Sequence, residues 1–222
     1  MKAIYYKEWI KTRWAFILSI LVLAGFSLFC IINIFRMIEM KGAVHIWEVM
    51  IQKDALFISL LTFLPMIIGI IVGITQYVPE MHQKCLKLTL HLPFNSMTMI
   101  AVMISFGFVS LIIIFSAVIL LIAASFSLIL APELVKHIIL SSIPWFLAGI
   151  ASYIFTAWIT LEPTWKRRII NILIAVLVLK IFFIDSVGEG YNCFLPYMAI
   201  TTLLFSTFIF LSVSRFKEGK QD

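Results

Sequence analysis

Five stretches of this chain carry no formally charged side chain over a length that crosses a bilayer: residues 15–35, 55–79, 88–132, 138–161 and 190–214. At ~1.5 Å per helical residue, roughly twenty residues cover the ~30 Å hydrocarbon layer. A weaker sixth stretch, 169–184, is interrupted by Lys180. Only 13% of the 222 residues are charged and 63% are hydrophobic, too few ionic groups to cover a water-soluble domain. The expected fold class is therefore all-α membrane protein, a single domain over 1–222 with six transmembrane helices at about 15–36, 55–77, 97–130, 138–161, 169–185 and 194–214.

Basic residues near the spans set the orientation. With both termini inside, the cytoplasmic side holds Lys2, Lys7, Lys11, Arg13, Lys84, Lys87, Lys166, Arg167, Arg168, Arg215, Lys217 and Lys220. Only Arg36, Lys41, Lys53, Lys136 and Lys180 are left for the other side. The expectation is a multi-pass protein of the inner (cytoplasmic) cell membrane with both termini cytoplasmic. The formal charge of +6 is spread over four separate segments, which suits topology and acidic membrane lipid and gives no surface for nucleic acid. Cys30, Cys85 and Cys193 fall in different compartments on this topology, so no disulfide is expected. No small-residue cleavage site follows the first apolar run, which is expected to stay as an anchor.

Residues 1–14 mix Tyr5, Tyr6, Trp9 and Trp14 with Lys2, Lys7, Lys11 and Arg13, the pattern of a basic helix lying at the interface. Residues 36–54 are expected to form a short outer surface helix. Gly69 and Gly73, four apart in the second span, allow another helix to approach closely. The third span is over-long, since residues 98–131 would extend about 51 Å, and one tilted or projecting helix ending near Pro132 is expected. Ser152, Thr156 and Thr160 form a hydroxyl stripe on one face of the fourth, expected to bond carbonyls of their own helix. Residues 162–168, Glu-Pro-Thr-Trp-Lys-Arg-Arg, read as a charged turn. Lys180 is the one full charge inside a span, a candidate for a substrate path or for snorkelling outward.

The chain lacks the groups that chemistry would need. No Gly-x-x-x-x-Gly-Lys-Ser/Thr loop is present to cradle ATP phosphates. His82, Cys85 and His91 do not make a closed metal-ligand set, and no nucleophile with a base can be assembled. No catalytic residue, no metal and no cofactor of the chain's own is expected.

Between the second and third spans lies an amphipathic island, residues 79–93. At helical spacing Met81, Cys85, Leu88 and Leu92 share one face, and Glu80, Lys84, Lys87 and His91 another. Pro79 suits a first helical turn, Glu80 complements the N-terminal dipole and pairs with Lys84, and Pro93 ends the helix. A helix is expected over 79–92.

The order of parts, from a basic interfacial helix through a cytoplasmic amphipathic helix ending in Leu92-Pro93 to four further spans, resembles the membrane permease subunit of ABC-2-type ATP-binding-cassette transporters over essentially the whole chain. Many such permeases carry there an acidic residue, a Gly-Thr pair and a leucine-rich turn closing in Leu-Pro. Glu80 takes the acidic place, and Leu86, Leu88, Leu90, Leu92 and Pro93 the end. Lys84 and Cys85 stand instead of Gly-Thr, and Lys87 stands where an acid is frequent. The resemblance implies that 79–92 is a coupling helix, with Glu80, Met81, Lys84, Cys85, Lys87, Leu88 and His91 meeting a cytoplasmic nucleotide-binding ATPase subunit. That partner would bind ATP and Mg, and a second permease copy or a related chain would complete the path for a lipid, peptide or hydrophobic drug. A haem-exporter-like permease and a non-transporting anchor that recruits a cytoplasmic protein remain open at this point.

Overall fold

The structure, a computed structural model, describes residues 2–42, 58–82, 95–184 and 190–217. Apolar side chains favour lipid, but lipid offers nothing to bond the backbone, so a spanning segment satisfies its N–H and C=O groups internally as helix. The described residues form α1 (Lys2–Lys41), α2 (Leu64–His82), α3 (Ser96–Ser127), α4 (Pro132–Leu161), α5 (Trp165–Ile181) and α6 (Leu195–Lys217), with a 3-10 turn at Ser59–Leu61 before α2. No strand occurs among them. Five of the helices, all but α5, are long and apolar enough to cross a membrane. With 17 residues, α5 is about 26 Å long and the shortest of the six.

Local chemistry explains most boundaries. Gly42 closes α1 with φ of 79°, its N–H bonded 2.9 Å from the Ile38 carbonyl, a left-handed cap that suits glycine. Asn95 opens α3 by accepting the Met97 N–H at 3.1 Å. Pro132 occupies the first turn of α4, where no partner for its missing N–H is needed. Glu133 beside it complements the dipole.

Two expected boundaries are corrected. The interfacial helix 1–14 is not separate from the first span: α1 runs unbroken over 40 residues, because 2–41 contain neither proline nor a turn signal and hydropathy alone does not interrupt a backbone. The helix expected over 79–92 does not begin at Pro79, which lies inside α2 near its end. Proline withholds one hydrogen bond from the carbonyl four residues back, here Thr75, and a helix can carry that loss in its last turns. The rest of the island, 83–94, lies outside the described residues. So does most of the outer helix expected at 36–54, of which the described part belongs to α1.

At the centre stands α4, buried over two thirds of its most apolar window against 28% for α6. It packs on α2, α6, α3 and α5, while α1 lies against α3 and α2. The glycine positions set the closest approach. A Cβ on Gly69 would overlap the Gly149 carbonyl oxygen and Ser152 Oγ, and one on Gly73 would lie 2.7 Å from Thr156 Cβ. Ser152 Oγ lies 2.8 Å from the carbonyls of both Met66 and Gly149, so the hydroxyl stripe partly bridges to α2. Thr156 and Thr160 bond their own helix, each 2.7 Å from the carbonyl four residues back.

Candidate functional site

Cross-helix contacts bring the start of α1, the end of α2, the start of α3, the end of α4, the start of α5 and the end of α6 to one end of the bundle. Most of the described cations lie at this end, together with three carboxylates that are almost wholly buried: Glu8, Glu80 and Glu162. A buried carboxylate must be paired or bonded to remain ionised, and each of the three has its own arrangement.

Glu80 joins α2 to α1. Its Oε1 lies 2.7 Å from Lys7 Nζ and 2.9 Å from Lys11 Nζ, two ammonium groups that helical spacing of four brings to one face. Lys11 also reaches Glu8 one turn back, at 3.0 Å from Oε1 and 2.9 Å from Oε2. Among the described residues, two cations and two anions thus balance across the α1–α2 contact. The second oxygen of Glu80 is buried without a hydrogen-bond partner. The pairing with Lys84 expected from sequence lies outside the described residues; within them Glu80 sits in the last turn of α2, facing α1, and not at the start of a helix of its own.

One turn below Glu80, a neutral network holds α2, α3 and α4 together. Gln76 Nε2 donates to the Met103 carbonyl at 2.8 Å. Tyr153 Oη lies 2.9 Å from Gln76 Oε1, 2.8 Å from Tyr77 Oη and 3.3 Å from the Ile104 carbonyl. A phenol has one proton. When Tyr153 donates to Gln76, Tyr77 donates to Tyr153. Gly107 makes room: a Cβ there would run into the Tyr153 hydroxyl and stand 2.6 Å from Gln76 Oε1.

Glu162, at the end of α4, joins that helix to α5 and α6. Its Oε2 accepts from Ser212 at 2.6 Å and lies 3.3 Å from Arg215 Nη1, both on α6, while Oε1 accepts from Thr164 at 3.2 Å. Its backbone carbonyl accepts from Arg168 Nη2 at 2.8 Å. The Arg168 guanidinium carbon stands 4.9 Å from the Trp165 ring centroid.

Comparison of the chain with protein-family models, with curated proteins and with solved structures finds no match.

Of the residues singled out in the island, Glu80 is buried in an ion pair and Met81 is half-buried beside it. Lys84, Cys85, Lys87, Leu88 and His91 lie outside the described residues. Gly69 and Gly73 face α4 of the same chain. Lys180 is exposed in the last turn of α5, at the opposite end of the bundle from Glu80. No group of three or more metal-ligating side chains occurs among the described residues. Sequence reasoning missed Glu8, Glu162, Gln76, Tyr77 and Tyr153. A signal existed for the two carboxylates, each a lone acid on a basic segment beside a charge-free run; the tyrosines and Gln76 offered none, because their partners are distant in sequence.

Proposed function

We propose that this chain is the membrane-spanning permease subunit of an ABC-2-type ATP-binding-cassette transporter. It crosses the membrane six times with both termini cytoplasmic, and works with a separate ATPase subunit and a second permease copy. The observation that carries this reading is the anchoring of Glu80. The segment 83–94 connects α2 to α3 at the charged end, and its first attachment point is held to α1 by two lysines. The close α2–α4 contact at Gly69 and Gly73 carries the same point into the centre of the bundle. A rigid displacement of 83–94 by a partner would therefore move α1, α2 and α4 together, which is what coupling to an ATPase demands. The cargo is a lipid, peptide or hydrophobic drug, in keeping with the apolar helices.

The experiment is gentle solubilisation followed by ATP hydrolysis in the assembled complex. A nucleotide-binding subunit co-purifies with the chain, and Glu80→Gln combined with Leu88→Ala lowers stimulated hydrolysis about tenfold, equivalent to ~1.4 kcal/mol of coupling. Absence of any nucleotide-binding subunit, or unchanged stimulation in the double variant, overturns the reading.

A further inference from the structure

A groove of about 340 Å³ opens at the charged end between α2, α4 and α5, lined by Val78, Met81, His82, Ile159, Thr160 and Arg168. Its walls are mostly apolar, and among the described residues that line it Arg168 carries the permanent charge. Three observations specify what it accepts. The Nε of Arg168 is buried and has no hydrogen-bond partner, although Nη2 is held by the Glu162 carbonyl. The guanidinium is thus held in place while its Nε–H stays unspent, and a buried donor without a partner is costly. Trp165, two thirds exposed, stands beside it at the start of α5, a position that suits the bilayer interface. Finally, Ile67, Ile71, Ile74 and Val78 are all exposed and recur on one face of α2, so an apolar stripe leads from the groove along the helix.

We infer that this groove is a binding site for an anionic phospholipid, whose phosphate accepts from Arg168 while an acyl chain lies along Ile74, Ile71 and Ile67. A guanidinium is suited to phosphate because its N–H donors form a planar fork. Basic pockets between helices at the headgroup level bind lipid phosphates on this principle. The occupant is a lipid and not a free anion because the cation sits at the mouth of an apolar track, and an inorganic phosphate would leave that track empty. The inference does not depend on the ATPase reading, and holds if that reading fails.

The test is native mass spectrometry of the full chain after exchange into phosphatidylcholine, with or without phosphatidylglycerol. The wild-type chain retains phosphatidylglycerol in preference to phosphatidylcholine. Arg168→Gln lowers that preference about tenfold, as expected for loss of a charge-assisted hydrogen bond. Because Arg168 also braces Glu162, Ile159→Trp supplies a second variant, filling the groove while leaving the arginine and its bond intact; it too loses the preference. Arg167→Gln, at an exposed neighbouring cation, keeps it. Unchanged retention in both Arg168→Gln and Ile159→Trp overturns the site, as does equal loss on Arg167→Gln, which would mean a diffuse surface charge. Full displacement of the lipid by inorganic phosphate also overturns it, in favour of a free-anion site.

Discussion

Lys7 and Lys11 touch the same oxygen of Glu80, yet their surroundings differ. The Lys7 side chain is 40% exposed, whereas Lys11 is 16% exposed and also compensates Glu8, which is wholly buried. Removing Lys11 takes from buried Glu8 its one ion-pair partner among the described residues, and removing Lys7 leaves Glu80 still paired. Lys11→Ala is expected to cost about 3 kcal/mol, and Lys7→Ala under ~1 kcal/mol, as for a partly solvated pair. Thermal unfolding in detergent ranks the two, and equal midpoints would contradict the shared-counter-ion arrangement. Glu80 was legible as a notable residue from its place between two apolar runs. Its partner was not, because pairing by spacing offers only neighbours such as Lys84, whereas Lys7 and Lys11 are brought in by tertiary packing.

At the level of elements, the bundle contains glycines of two kinds. Gly69 abuts the backbone of α4, while a Cβ on Gly25, in the middle of α1, would meet nothing within 4 Å. Gly69→Ala forces α2 and α4 apart and is expected to cost ~1–3 kcal/mol, as overpacking does. Gly25→Ala is expected to gain ~0.5–1 kcal/mol by restricting the unfolded chain and favouring helix. Unfolding midpoints measured in one detergent test the opposite signs; a loss in both would show that α1 is also closely covered at Gly25. Helix existence was readable from hydropathy, since α3, α4 and α6 cover the spans expected at 97–130, 138–161 and 194–214, with the largest offset at the start of α4, where Pro132 opens the helix ahead of the charge-free run. Boundaries were less so. Trp14 marks a change of solvent and not of backbone, so α1 passes it without a break. Pro79 has two local meanings, helix start or late helix interior, and only the pairing of Glu80 with α1 selects the second.

For the whole molecule, consecutive helices alternate in direction, which places the beginning of α1 and the end of α6 at one end and Cys193 at the other. Cys193 is exposed and Cys30 buried, so the first is a natural reporter. In a chain lacking Cys30 and Cys85, a membrane-impermeant maleimide applied outside intact cells is expected to label Cys193. Lys166→Cys and Lys217→Cys, each in a background also lacking Cys193, are expected to react only after the membrane is opened. Labelling of Lys166→Cys from outside would mean that α5 does not cross. The same arrangement has a mechanical side. Tyr5 of α1 bonds Ser105 of α3 at 2.9 Å, nine residues after α3 begins. About 13 Å of α3 therefore extends past that contact. That stretch is not free: Met99, Ile100 and Met103 in it are buried, and Gln76 of α2 donates to the Met103 carbonyl at 2.8 Å, so the beginning of α3 is held to α1 and α2 at once and moves only with both.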